Sequence, residues 1–145
     1  MRFALLIIFS LILTGCASTS SVKFSPSENY AVSVQSNLFD AVRVANNDIT
    51  LFSDGKALGF IRVETVPADA PSTSEFINTL RSASESESVE TQALGLYPGF
   101  EGFSAKVRGY ETGYFIDEEN PSSMLIFSFP DDTFEKVAKT ISSGI

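Results

Sequence analysis

Two periodicities alternate along the chain. From Tyr30 to Val66 and from Val89 to Phe129, apolar residues come at every second position or in short unbroken runs. After Ser72 and after Asp132 they come at every third or fourth position instead. A period of two puts side chains on alternate sides of a strand, and a period near 3.6 gathers them on one side of a helix. Tyr30-Ala-Val-Ser-Val34 therefore predicts a strand, and Ala41 to Val44 a short second one. Ile49 to Phe52 and Ala57 to Val66 flank Asp54-Gly55, a pair suited to a tight hairpin turn because both residues tolerate positive φ.

Pro67-Ala-Asp-Ala-Pro71 belongs to no central strand, since proline cannot donate to a ladder. Ser72 and Glu75 then have the spacing of a capping box, and Phe76, Ile77, Leu80 and Ala83 form the stripe of a helix that frays into Ser84-Glu-Ser-Glu-Ser88. Val89 to Leu96 predicts a strand and Tyr97-Pro-Gly-Phe-Glu-Gly102 a turn. Phe103, Ala105 and Val107 alternate with Ser104, Lys106 and Arg108, the pattern of a half-buried strand. Gly113 to Asp117 and Met124 to Phe129 are further strands, separated by a turn over Glu118-Glu-Asn-Pro-Ser122. Asp132 and Glu135 make a second capping box, followed by the stripe Phe134, Val137, Ala138 and Ile141 of a last helix.

The resulting order, β-β-(β)-α-β-β-β-α, describes an α+β domain: an antiparallel sheet with two amphipathic helices packed on it. Over about residues 30 to 143 this order resembles the PsbP/Mog1-like group. The likeness is carried by Asp54-Gly55, the segment Pro71 to Leu80, Pro98-Gly-Phe-Glu-Gly-Phe103 and the terminal helix. It implies a non-catalytic partner of larger assemblies; cystatin-like and ferredoxin-like arrangements fit the same order.

The N-terminus follows neither period. After Arg2, Phe3 to Leu13 are apolar except for Ser10, eleven residues in all. That falls short of the roughly 20 needed to cross a bilayer as a helix and matches an export signal. The run ends in Leu13-Thr-Gly-Cys16, which resembles the lipobox of bacterial lipoproteins at all four positions. The resemblance implies removal of residues 1–15 and lipid attachment at Cys16, with two or three acyl chains giving a stable anchor where one would not. Ala17 to Asn29 are rich in serine and threonine, so residues 16–29 are expected to be a flexible tether and residues 30–145 a single domain. In Gram-negative lipoproteins an Asp after the cysteine tends to hold the protein in the inner membrane; Ala17 stands here, which implies the outer membrane, with the domain in the periplasm.

Composition narrows the chemistry. Loss of Arg2 with the signal leaves nine basic and 18 acidic side chains, a balance of −9. No basic stripe exists to displace counterions from nucleic acid, so nucleic-acid binding is not expected. Histidine is absent and Cys16 is the only cysteine. That excludes imidazole bases, Ser-His and Cys-His nucleophiles, and zinc sites built from His and Cys. No cofactor or metal is implied. Carboxylates remain, at Glu118-Glu119 and Asp131-Asp132, with Glu119 and Asp131 the best pairing for a hydrolase; Asp117 to Asn120 offers oxygen ligands to calcium without the spacing of an EF-hand. Both acidic pairs are better explained as turn and cap residues. Tyr97, Phe100 and Phe103 form a candidate partner-binding loop, though folding back under the sheet as core is the reading they favour. The expectation is a membrane-anchored, non-enzymatic binding or assembly factor with an envelope protein as partner. Binding of a small apolar ligand between helices and sheet is the first alternative, and a carboxylate hydrolase the second.

Overall fold

The computed structural model describes residues 20–87, 89–94 and 99–143. Antiparallel strands and two helices organise it. The strands are β1 (Ser21–Ser27), β2 (Tyr30–Gln35), β3 (Ala41–Ala45), β4 (Asp48–Ser53), β5 (Lys56–Thr65), β6 (Glu90–Ala93), β7 (Phe100–Val107), β8 (Tyr110–Asp117), β9 (Ser123–Pro130) and β10 (Ser142–Ser143). The helices are α1 (Thr73–Ser86) and α2 (Asp131–Ala138). The α+β class and the order expected around the helices are as read from the sequence, with further strands at both termini.

Seven strands form one antiparallel sheet in the order β3-β4-β5-β9-β8-β7-β6. Two meanders meet where β5 pairs with β9, from Phe60 opposite Ser128 to Thr65 opposite Ser123. The Asp54-Gly55 turn forms as expected, with φ of 51° and 72°. Arg108-Gly109 makes a second turn of the same kind, at 53° and 81°. Positive φ at both central residues matches the twist of the flanking strands, and the glycine accepts it without strain.

Each face of this sheet has its own core. On one, α1 covers Phe103, Ala105, Ile116, Met124 and Ile126 with Ile77. On the other, α2 and the small sheet β1-β2-β10 cover Ile49, Leu51, Ile61, Phe115, Leu125, Phe127 and Phe129. Burial on both faces explains why β9 reads as an unbroken apolar run. Phe127 stacks between Phe115 and Phe134 at ring-centroid distances of 5.5 and 5.0 Å. Gly113 leaves room for that stack: a Cβ there would lie 2.6 Å from the Phe115 ring and 3.1 Å from those of Phe127 and Phe134.

Four local expectations are corrected. The tether over residues 16–29 gives way at Ser21, where β1 begins to pair with β2, Val22 opposite Val34 and Phe24 opposite Val32. Serine and threonine suit an edge strand as well as a linker, so composition did not separate the two. The first capping box is present at its serine, whose Oγ accepts from the Glu75 amide at 3.2 Å, but the helix continues to Ser86. Ser84 and Ser86 donate back to the carbonyls of Leu80 and Ala83, and Arg81 lies 3.6 Å from Glu85, which supports the polar turn. The second capping box does not form: α2 starts one residue earlier, after Pro130, with no side-chain cap. Asp131 and Asp132 act there through their charge at the positive end of the helix. Finally, β7 begins at Phe100, inside the expected turn, and is not polar on alternate residues: Phe103, Ser104 and Ala105 are all buried.

Candidate functional site

Cys16 and Tyr97 lie outside the described residues. Phe100 and Phe103 sit three apart on β7 and so project to opposite faces. Phe103, 1% exposed, stacks on Tyr114 at 4.8 Å beneath α1. Phe100 is half-buried on the other side, 6.4 Å from Tyr30. These two rings do not converge on one surface, and Phe103 is core.

The carboxylates expected to matter are structural in their contacts. Asp117, 2% exposed, accepts from the Glu119 amide at 2.9 Å and from the Asn120 side chain at 3.2 Å, which closes the turn into β9. Glu118, Glu119, Asp131 and Asp132 are exposed. Glu119 and Asp131 lie beyond opposite ends of β9, whose eight residues span about 26 Å. The structure does not bring them together. Among the described residues no cluster of three metal-ligating side chains occurs.

One acid was not singled out from the sequence. Glu111 is 4% exposed, accepts from the Ser104 hydroxyl at 2.5 Å and lies 3.4 Å from Lys106 Nζ. Its charge, with smaller contributions from Asp131 and Glu90, raises the Lys106 pKa. Lys106 and Glu111 are register partners across the Arg108-Gly109 turn. Identifying that turn as a hairpin would have revealed the pair.

The accessible chemistry lies where α1 does not reach. On β3, β4 and β5 the face shared with α1 carries Arg43, Thr50, Phe60 and Arg62 around an open groove of about 310 Å³, with Tyr110 and Ser128 at its far side. Arg62 lies over Phe60 at 4.8 Å and pairs with Asp48 at 2.9 Å. Arg43 lies over Phe52 at 5.6 Å, and its Nη2 donates to Thr50 at 3.4 Å. Flat guanidinium groups on aromatic faces keep the apolar surface partly covered and leave planar donors at the surface. Ser128 Oγ accepts from Thr112, so its own proton is free to donate. Beside the groove runs the sheet edge, β3, with all five residues exposed and Val42 and Val44 exposed by 41% and 65%. Such an arrangement suits a peptide or protein surface: hydrogen-bonding edge, apolar side chains, cationic donors. Nothing in it supplies an activated nucleophile or a pair of convergent acids.

No family model, curated protein or solved structure matches the chain.

Proposed function

We propose that the chain is an exported lipoprotein, anchored through Cys16 and acting as a non-catalytic binding or assembly factor in a bacterial envelope. The observation that carries this reading is Leu13-Thr-Gly-Cys16 at the end of an eleven-residue apolar run. The acidic balance supports it indirectly, because a chain at −9 gains nothing from anionic headgroups and needs the lipid for membrane affinity. Binding as the mode of action is supported by the uncovered β3 edge and the arginine-bearing groove beside it. A small apolar ligand is less well served: the space between α2 and the sheet is filled by Phe115, Phe127 and Phe134, each at most 1% exposed. By Ala17 the destination is the outer membrane, with the domain in the periplasm.

The test is processing. Cys16→Ser should leave an uncleaved precursor that takes up no labelled palmitate, while the native chain matures and fractionates with the outer membrane. Normal maturation of the variant removes the anchor from the account. Cross-linking through a photoreactive residue at position 43 or 44 should then capture an envelope protein from membranes, and the same residue at exposed Glu135 should not.

A further inference from the structure

The lipidation reading and the observed start of β1 together fix which end of the domain meets the bilayer, and this inference rests on that reading. Only Ala17, Ser18 and Thr19 separate Cys16 from Ser20. Ser20 is already held: its carbonyl accepts from the Ser36 amide at 2.8 Å, the two hydroxyls are 2.8 Å apart, and Ser21 pairs with Gln35. Even fully extended, four residues reach about 14 Å. The ten residues of β5 span about 33 Å, so the leash is less than half the length of the sheet it holds.

The topology says which end lies near Ser20. From Ser36 the chain runs through a short 3-10 turn to Asp40, whose amide donates to the Phe52 carbonyl and whose carboxylate accepts from the Asp54 amide at 2.7 Å. The Asp54-Gly55 turn is therefore at this end. So are Lys56, the Arg108-Gly109 turn and the start of α2, since Phe60 pairs with Ser128, Tyr110 with Pro130, and the Asp131 amide with the Gly109 carbonyl. Tyr30 marks the opposite end, with its hydroxyl on the Ser123 carbonyl at 2.7 Å and within 3.2 Å of the Asp117 amide. The Asn46-Asn47 turn and the Glu118 to Ser122 turn lie there too.

We infer that the lipidated protein rides flush on the bilayer, with the Asp54-Gly55 and Arg108-Gly109 turns toward the lipid headgroups and the Asn46-Asn47 and Glu118–Ser122 turns outward. The contact is enforced by the short leash and not by adhesion: the inward end carries Asp40, Asp54, Asp131 and Asp132 against Lys56 and Arg108. The strands then stand upright, and the β3 edge faces sideways along the membrane, toward a partner held in or on the same bilayer.

Introduced thiols read this directly, because acylation of Cys16 leaves no other cysteine. Lys56→Cys, Asn47→Cys and Glu119→Cys, all at exposed positions, are labelled with a fluorophore in the full-length lipidated protein. Each is reconstituted in phosphatidylcholine vesicles containing headgroup-nitroxide lipid. Quenching should be several-fold stronger at position 56 than at 47 or 119. Inserting about twelve Gly/Ser residues after Ser18, a coil with an r.m.s. length of roughly 20 Å and a much longer reach, should remove the difference. Equal quenching at the three sites on lipidated protein overturns the orientation and leaves the anchor standing. A difference that survives the insertion overturns the leash as its cause. A mature protein whose mass shows no lipid overturns anchor and orientation together.

Discussion

The two faces of the seven-stranded sheet are built from similar residues and put to different uses. Beneath α2, phenylalanine packs on phenylalanine, and Phe115, Phe127, Phe129 and Phe134 are each 0–1% exposed. On the face shared with α1, the apolar cluster under the helix takes in β7, β8 and β9; toward β3, Phe52 and Phe60 are half-buried and guanidinium groups stand in for the missing helix. A buried aromatic gains the full transfer energy and tolerates no change of shape, whereas a half-buried one under arginine gains less and stays available at the surface. Stability and accessibility are thus divided between opposite sides of the same strands.

The largest effect expected from this division is at the centre of the stack. Phe127→Ala should lower unfolding free energy by about 4 kcal/mol in urea titration, while Phe60→Ala, on the same sheet, should cost about 1 to 2 kcal/mol. Equal costs would show that the two faces are not different in kind. Gly113→Ala sharpens the point without removing an atom. Its new Cβ, 2.6 Å from the Phe115 ring, must displace a stacked aromatic, at a cost of about 2 kcal/mol. An unchanged urea midpoint would mean the stack yields freely.

Alkaline pH gives an intermediate effect. Burial raises the pKa of both Tyr30 and Tyr114 from 10.0, and the Glu111 charge raises that of Lys106 from 10.5. In each case the folded state holds its proton more tightly than the unfolded chain. The stability this represents is complete below pH 10 and is lost as pH rises through the folded-state values. The urea midpoint should therefore be flat between pH 8 and 9 and fall above about 10, and Tyr30→Phe should make that fall shallower. A midpoint that does not fall would contradict the assignment. The smallest effect belongs to Arg43→Ala on the open side: stability within about 0.5 kcal/mol of native, with cross-linking to the proposed partner reduced. Loss of folding in this variant would make Arg43 structural and take it out of the binding surface.

Much of this architecture was legible where local chemistry is strong. Asp54-Gly55 placed a hairpin because few residue pairs accept positive φ twice, and Ser72 with Phe76, Ile77 and Leu80 placed α1 because cap and stripe agree. Legibility failed where the deciding contact is distant. Nothing local in Ser21-Val-Lys-Phe-Ser-Pro-Ser27 distinguishes a strand from a linker; pairing with β2 decides it. Ser104 looked like the polar side of β7 because its buried partner, Glu111, belongs to the next strand. Phe100 and Phe103 looked like one loop because β7 starts three residues earlier than the Pro-Gly pair suggests. The groove was invisible for the same reason, since Arg43 and Ser128 come to line it only through the joining of two meanders.

The small sheet that covers α2 has a consequence for how the molecule comes into being. β2 leaves a ribosome about a hundred residues ahead of the groups that lock it. Its Ser33 amide donates to the Thr140 hydroxyl at 2.8 Å, Tyr30 reaches Ser123, and β10 pairs with Ala31. These contacts span 93 to 111 residues, so loop closure delays them until the segment from Ser123 to Ser142 is present. A chain delivered N-terminus first therefore has no complete fold to offer until its final helix arrives, and for that interval it remains thin enough to thread.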